Sequence, residues 1–201
     1  TREIDLQKNL ILEKSKQITS SINYAKYIQD SIQPDRKLLK TILPSSFIFS
    51  QPRDIVSGDF YWFKNIGSKL IITVADCTGH GIPGAFISMV GVCLLEQIVN
   101  QRKIFKAGEI LNELSHGVQM TLNQGTSNAK DGMDISLCVL DFETNELEFS
   151  GAYNPLFIVS KEGEINILQG NRKSIGDPLY VDSNFKTHKA PLNKGDKYFL
   201  F

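Results

Sequence analysis

The chain has 201 residues, 41% of them hydrophobic, with 22 basic and 22 acidic side chains and a formal net charge of zero. That suits one well-buried globular domain with an extension. The balanced charge offers no basic patch for nucleic acid or a lipid surface, and the apolar runs fall short of a membrane span.

The chain opens at Thr1 without Met and without a secretory signal, and we expect it to be part of a longer protein. Residues 4–33 contain no Gly or Pro. Ile4, Ile11, Ile18, Ala25 and Ile32 recur every seven residues, which is the seam of a coiled coil. The companion positions Gln7, Lys14 and Ser21 are polar, and only Ile28 is apolar. The seam is therefore thin. It reads either as a parallel homodimer helix or as an amphipathic helix packed on its own domain, and we expect the homodimer. Pro34 ends this helix or opens the next, and a short helix over 35–42 stops before Pro44. Residues 1–44 thus form a helical linker and dimerisation segment, and 45–201 the globular domain.

In that domain 47–49 reads as a short strand. Residues 60–63 and 69–74 read as paired strands joined through Asn65-Ile66-Gly67-Ser68. Helices are predicted over 83–100, with Pro83 in the first turn, and over 107–122. Strands follow at 135–142, 147–152, 156–160, 164–168 and 197–201, the first four linked as hairpins by Glu143-Thr144-Asn145 and Lys161-Glu162-Gly163. Strands, two helices, then strands predict a layered α+β domain instead of alternating βαβ units. The three cysteines, Cys77, Cys93 and Cys138, fit no zinc spacing. Two of them lie in apolar runs, so a reduced, cytoplasmic protein is expected.

Two stretches carry the chemistry: Ser57-Gly58-Asp59-Phe60-Tyr61-Trp62-Phe63 and Ala75-Asp76-Cys77-Thr78-Gly79-His80-Gly81. Each sets one carboxylate at a strand end. An aspartate in such a place is commonly a turn residue or helix cap. Here Gly79 and Gly81 let the backbone approach a ligand, and a helix begins just beyond, turning free amides to the same place. Hard oxygen ligands without His or Cys favour Mg²⁺ or Mn²⁺ over zinc. A pair of such ions would activate a water and clamp a phosphoryl group. Asp131 and Asp134 flank Gly132-Met133 and read as loop caps or as residues lining the site, and we expect loop structure. Tyr61 and Trp62 read as core or shelf residues in preference to substrate-stacking ones.

These motifs resemble those of the metal-dependent protein phosphatases, the PPM family, in the bacterial branch typified by SpoIIE and RsbU. Ser57-Gly58-Asp59-Phe60-Tyr61 is similar to that branch's G-G-D-F-Y, and Asp76-Cys77-Thr78-Gly79-His80-Gly81 to its D-V-S-G-H-G. Ala85-Phe86-Ile87-Ser88-Met89, Gly151-Ala152-Tyr153-Asn154-Pro155 and Ser174-Ile175-Gly176 resemble later family segments. Ala25-Lys26-Tyr27-Ile28-Gln29 and Ile42-Leu43-Pro44 resemble the helical lead-in, so the likeness runs from about residue 20 to the end.

The resemblance implies an αββα sandwich, incomplete at the C-terminus because the family's S-D-G turn follows a strand like 197–201. It implies two Mn²⁺ or Mg²⁺ ions. Asp76 would bridge them, the Cys77 backbone carbonyl would bind one, and Asp59 would hold a bound water or the metal. A water so activated would attack phosphoserine or phosphothreonine. The substrate implied is a phosphoprotein such as an anti-sigma-factor antagonist, acted on under control of an upstream sensor that can itself be membrane-tethered.

Arg53 reads as a phosphate contact or as a solvated surface residue. His80 lies four residues past Asp76, where the eukaryotic branch has its histidine at two, so it reads as a shaper of the Gly79–Gly81 turn or as an acid. The alternative function is a catalytically inactive signalling and dimerisation module that binds a phosphoprotein.

Overall fold

The computed structural model describes residues 2–123, 131–180 and 183–201. Helix α1 runs over Arg2–Ile32 and α2 over Arg36–Ile42, with the Asp35 carboxylate accepting from the Lys37 amide as its N-cap. Strands β1 (Phe60–Ile66) and β2 (Lys69–Cys77) form a hairpin closed by Gly67-Ser68, where Gly67 takes a positive φ of 59°. Helices α3 (Gly81–Glu96) and α4 (Ala107–Thr121) follow. Then come β3 (Met133–Asp141), β4 (Glu146–Ala152), β5 (Leu156–Val159), β6 (Ile165–Leu168), β7 (His188–Pro191) and β8 (Lys197–Leu200).

The named strands all pair antiparallel. One sheet has the order β1-β2-β3-β4-β7 and the other β6-β5-β8. The chain passes between sheets at Tyr153-Asn154-Pro155, with Tyr153 at φ 56°. Period-two alternation gives the large sheet two buried faces. Trp62, Ile71, Ile135, Leu137 and Val139 look toward α3 and α4 and pack on Leu95, Ile110, Leu111 and Leu114. Phe63, Leu70, Cys138, Leu147 and Phe149 look the other way, onto Leu156 and Ile158 of the small sheet. Helices, large sheet and small sheet are the layers of the expected α+β sandwich.

Four expectations change. Residues 47–49 form no strand. Phe47 is 74% and Phe49 81% exposed, and no sheet edge meets them. The helix expected over 83–100 starts at Gly81 and widens over Gln97–Gln101 into a π-helical turn. Strand β7 was not foreseen, because four residues ending in Pro191 carry almost no pattern. The stretch Gly81–Gln101 is also long and apolar enough to cross a membrane by composition, contrary to the reading that every apolar run is too short. Half of it is buried in this domain, where it serves as the central core helix.

The last turns of α1 and all of α2 pack against the sandwich. Ile32 meets the helix-side core, while Leu39, Ile42 and Leu43 meet the inter-sheet core. Farther out, Ile4, Ile11 and Ile18 of α1 are exposed.

Candidate metal centre

Phe60 pairs with Ala75, so Asp59, one residue before β1, falls beside Asp76 in the next step of the register. Asp76 in turn lies opposite Asp134 of β3. The three aspartates share parity with Tyr61, Leu70 and Cys138, so they form a row on the face turned to the small sheet. Asp59 and Asp76 meet within hydrogen-bonding reach. Partial burial raises the Asp76 pKa first, and the hydrogen bond and charge of Asp59 raise it further. Asp134, read from sequence as a loop residue, is a strand residue, and its carboxylate accepts from the Ser174 hydroxyl at 2.6 Å.

Glycines bring the two aspartates together. A Cβ on Gly58 would lie 3.0 Å from the Gly79 carbonyl oxygen and 3.4 Å from that of Cys77. A Cβ on Gly84 would lie 2.6 Å from the Gly79 oxygen and 3.1 Å from Gly58 Cα. The loop before β1 thus rests directly on the turn after β2, and the Cys77 carbonyl faces that loop. Gly79 and Gly81 hold positive φ of 84° and 62°, which lets the turn fold back into α3. Thr78 anchors the turn to β3. Its amide donates to the Gly132 carbonyl at 2.9 Å, and its hydroxyl accepts from the Gly132 amide at 3.1 Å.

His80 is the N-cap residue of α3, and its Nδ1 lies 3.1 Å from an Asp54 oxygen. Arg53 lies on the exposed bend beside Asp54. Three contributors escaped the sequence reading: Asp54, Gly84 and Gln29. Gln29 had a visible signal, being a polar residue on the Ala25–Ile32 face that packs inward. The Cys77 thiol is held protonated, since burial first and then the charges of Asp76 and Asp59 push its pKa up. It is no nucleophile, and only its carbonyl is chemically available.

Two carboxylates in contact and a backbone carbonyl beside them are hard oxygen donors, and they fit Mg²⁺ or Mn²⁺. A cation there would compensate the charge that partial burial and the neighbouring Asp59 disfavour on Asp76. Among the described residues no three His, Cys, Asp or Glu side chains converge closely enough to hold one ion, so the site rests on the Asp59–Asp76 pair, with Asp134 next to it in the row.

A model of the Stage II sporulation protein E (SpoIIE) family matches residues 67–201. The SiaA-PP2C domain of Pseudomonas aeruginosa superimposes with a TM-score of 0.82 at 32% identity, over 93% of this chain and 72% of that one. The PP2C phosphatase domain of SpoIIE from Bacillus subtilis superimposes at 0.58 with 21% identity, over 70% of this chain and 39% of that one. RsbX, in a complex with magnesium, does so at 0.54 with 22% identity, over 72% and 65%. No curated protein sequence matches the chain.

Proposed function

Because the chain belongs to the SpoIIE family and shares the PP2C phosphatase fold, we propose that it is a metal-dependent protein serine/threonine phosphatase domain. The contact between Asp59 and Asp76 carries this reading, because two carboxylates so placed are tolerated best with a cation between them. Bound Mn²⁺ or Mg²⁺ supplies charge neutralisation for a phosphoryl group and lowers the pKa of water.

Asp59, Asp76 and the Cys77 carbonyl hold the ions. The open Gly79–Gly81 turn and the first amides of α3 receive the phosphate, with Arg53 and His80 at the rim. Phosphoryl transfer to water asks mainly for position and charge, which these residues provide. The P–O bond to the seryl or threonyl oxygen breaks, giving inorganic phosphate and the free hydroxyl.

The substrate in this reading is a phosphorylated protein of a partner-switching pathway, such as an anti-sigma-factor antagonist. Control comes from an upstream sensor through α1, acting as a parallel homodimer. Free thiols at Cys77, Cys93 and Cys138 support a cytoplasmic setting. The test is Asp76→Asn in the full-length protein, assayed for Mn²⁺-stimulated phosphate release from a phosphoserine protein. We expect a loss of roughly a hundredfold or more. Undiminished release would remove Asp76 from the chemistry and favour the alternative, a phosphoprotein-binding module without catalysis.

A further inference from the structure

Helix α1 has a single buried residue, the polar Gln29, which is 1% exposed. Its carboxamide pairs with the backbone of Ser57 from both sides. Nε2 donates to the Ser57 carbonyl at 2.6 Å, and Oε1 accepts from the Ser57 amide at 3.1 Å. Nε2 also donates to the Ser88 hydroxyl of α3 at 2.9 Å. The network allows one orientation of the amide, since only the oxygen can meet an N–H and only the nitrogen a C=O. Residues 51–58 make no backbone–backbone hydrogen bond to another described residue. The pairing with Gln29 therefore does for Ser57 what a neighbouring strand would otherwise do.

The other side of Asp59 is tied to the same helical segment. The Tyr61 hydroxyl donates to the Pro34 carbonyl at 3.2 Å. Arg36 Nε donates to the Tyr61 oxygen at 3.2 Å, and its guanidinium sits 5.2 Å from the ring centroid. Asp59 is thus bracketed, two residues on either side, by bonds from residues 29 and 34–36. Gly58 meanwhile rests on the Gly79 carbonyl. The position of Asp59 relative to Asp76 is set by this frame.

We propose that Gln29 is a positioning residue of the metal centre. By clamping the Ser57 backbone it fixes Asp59 against Asp76, so the N-terminal helix forms part of the cation site's scaffold. This rests on the metal-centre reading above. Replacing Gln29 with leucine removes the clamp while keeping a buried side chain of similar size. The Ser57 amide loses its partner, the Ser57 carbonyl keeps only the Ser88 hydroxyl at 3.2 Å, and the loop shifts.

The experiment is titration of the metal-free full-length protein with Mn²⁺, followed by electron paramagnetic resonance of the free ion. Wild type, Gln29→Leu, Ser88→Ala and Asp76→Asn are compared. Gln29→Leu should weaken Mn²⁺ binding about tenfold or more, the usual cost of losing an outer-shell support. Ser88→Ala removes the hydroxyl that accepts from Gln29 and lies 3.2 Å from the Ser57 carbonyl, but it leaves the two shorter bonds between Gln29 and Ser57, so its affinity should stay within about twofold of wild type. Equal weakening by both would mean general loosening, and wild-type affinity in Gln29→Leu would mean no positioning role; either overturns the proposal. If wild type and Asp76→Asn bind Mn²⁺ alike, the metal centre itself is wrong and the proposal falls with it.

Discussion

Asp76 holds its proton more tightly than a free aspartate, for which the ordinary value is 3.8, through partial burial and through the adjacent Asp59. Between that value and the raised one, the folded chain keeps a proton that the unfolded chain has released. Stability of the cation-free protein therefore falls as pH rises through this window. Above it, two carboxylates face each other without compensation. Asp76→Asn should then raise the melting temperature of the chelator-treated protein at pH 7 by a few degrees, even as it abolishes activity. Scanning calorimetry in excess chelator checks this, and an unchanged or lower transition would mean that the pair carries no strain. Cys77 makes the complementary case. Its thiol stays protonated and only its carbonyl faces the Gly58 loop. Cys77→Ala should keep Mn²⁺-dependent phosphate release within about threefold of wild type, at a stability cost of about 1 kcal/mol for the lost sulfur contact. A collapse of activity with the fold intact would assign the side chain a role that the geometry does not give it.

Where β2 turns into α3, helix propensity and packing make opposite demands. On propensity alone, Gly84→Ala would stabilise the first turns of α3 by up to about 1 kcal/mol. The added Cβ would sit 2.6 Å from the Gly79 oxygen and 3.1 Å from Gly58 Cα, both backbone atoms that cannot swing aside. Overpacking of that kind costs about 1–3 kcal/mol, so the clash wins. Gly84→Ala should lower the melting temperature and weaken Mn²⁺ binding together, since any relief pushes the loop of Asp59 away from the turn of Asp76. A variant that melts higher and binds normally would show that the glycine contact is incidental. This contact also marks what the sequence discloses. Strands β1 to β4 and helices α3 and α4 announce themselves by apolar period and by turns such as Gly67-Ser68 and Glu143-Thr144-Asn145. The carboxylate pair is legible because each member ends a strand beside glycine. Strand β7 is not legible, nor is the irregular course of 47–49, because short segments take their state from the partners that meet them. Asp134 was misread for a related reason, since its place in the aspartate row depends on the β2–β3 register.

At the scale of the whole molecule, α1 is the element whose design the domain does not complete. Its 31 residues span roughly 46 Å at 1.5 Å per residue, and only its last turns pack on the sandwich. Ile4, Leu6, Leu10, Ile11, Leu12 and Ile18 stay exposed, more apolar surface than a lone solvated helix retains without cause. A helix without tertiary contacts is marginal in water, so the outer turns need a partner to persist. The seven-residue recurrence of Ile4, Ile11 and Ile18 continues in Ala25 and Ile32, of which Ile32 turns onto the domain's own core, and for the exposed outer positions a second copy of the same helix is the occupant that matches this period. The inner end of that same helix carries Gln29, so a dimer seam and a cation site would share one rigid rod. Ile18→Asp should convert a dimer into a monomer in sedimentation equilibrium, because a charge at a seam position is desolvated against its own copy. It should leave the melting transition of the sandwich core nearly unchanged, since Ile18 lies outside both cores. An unchanged dimer would refute the seam. A lost core transition would instead show that the outer turns of α1 fold back on the domain.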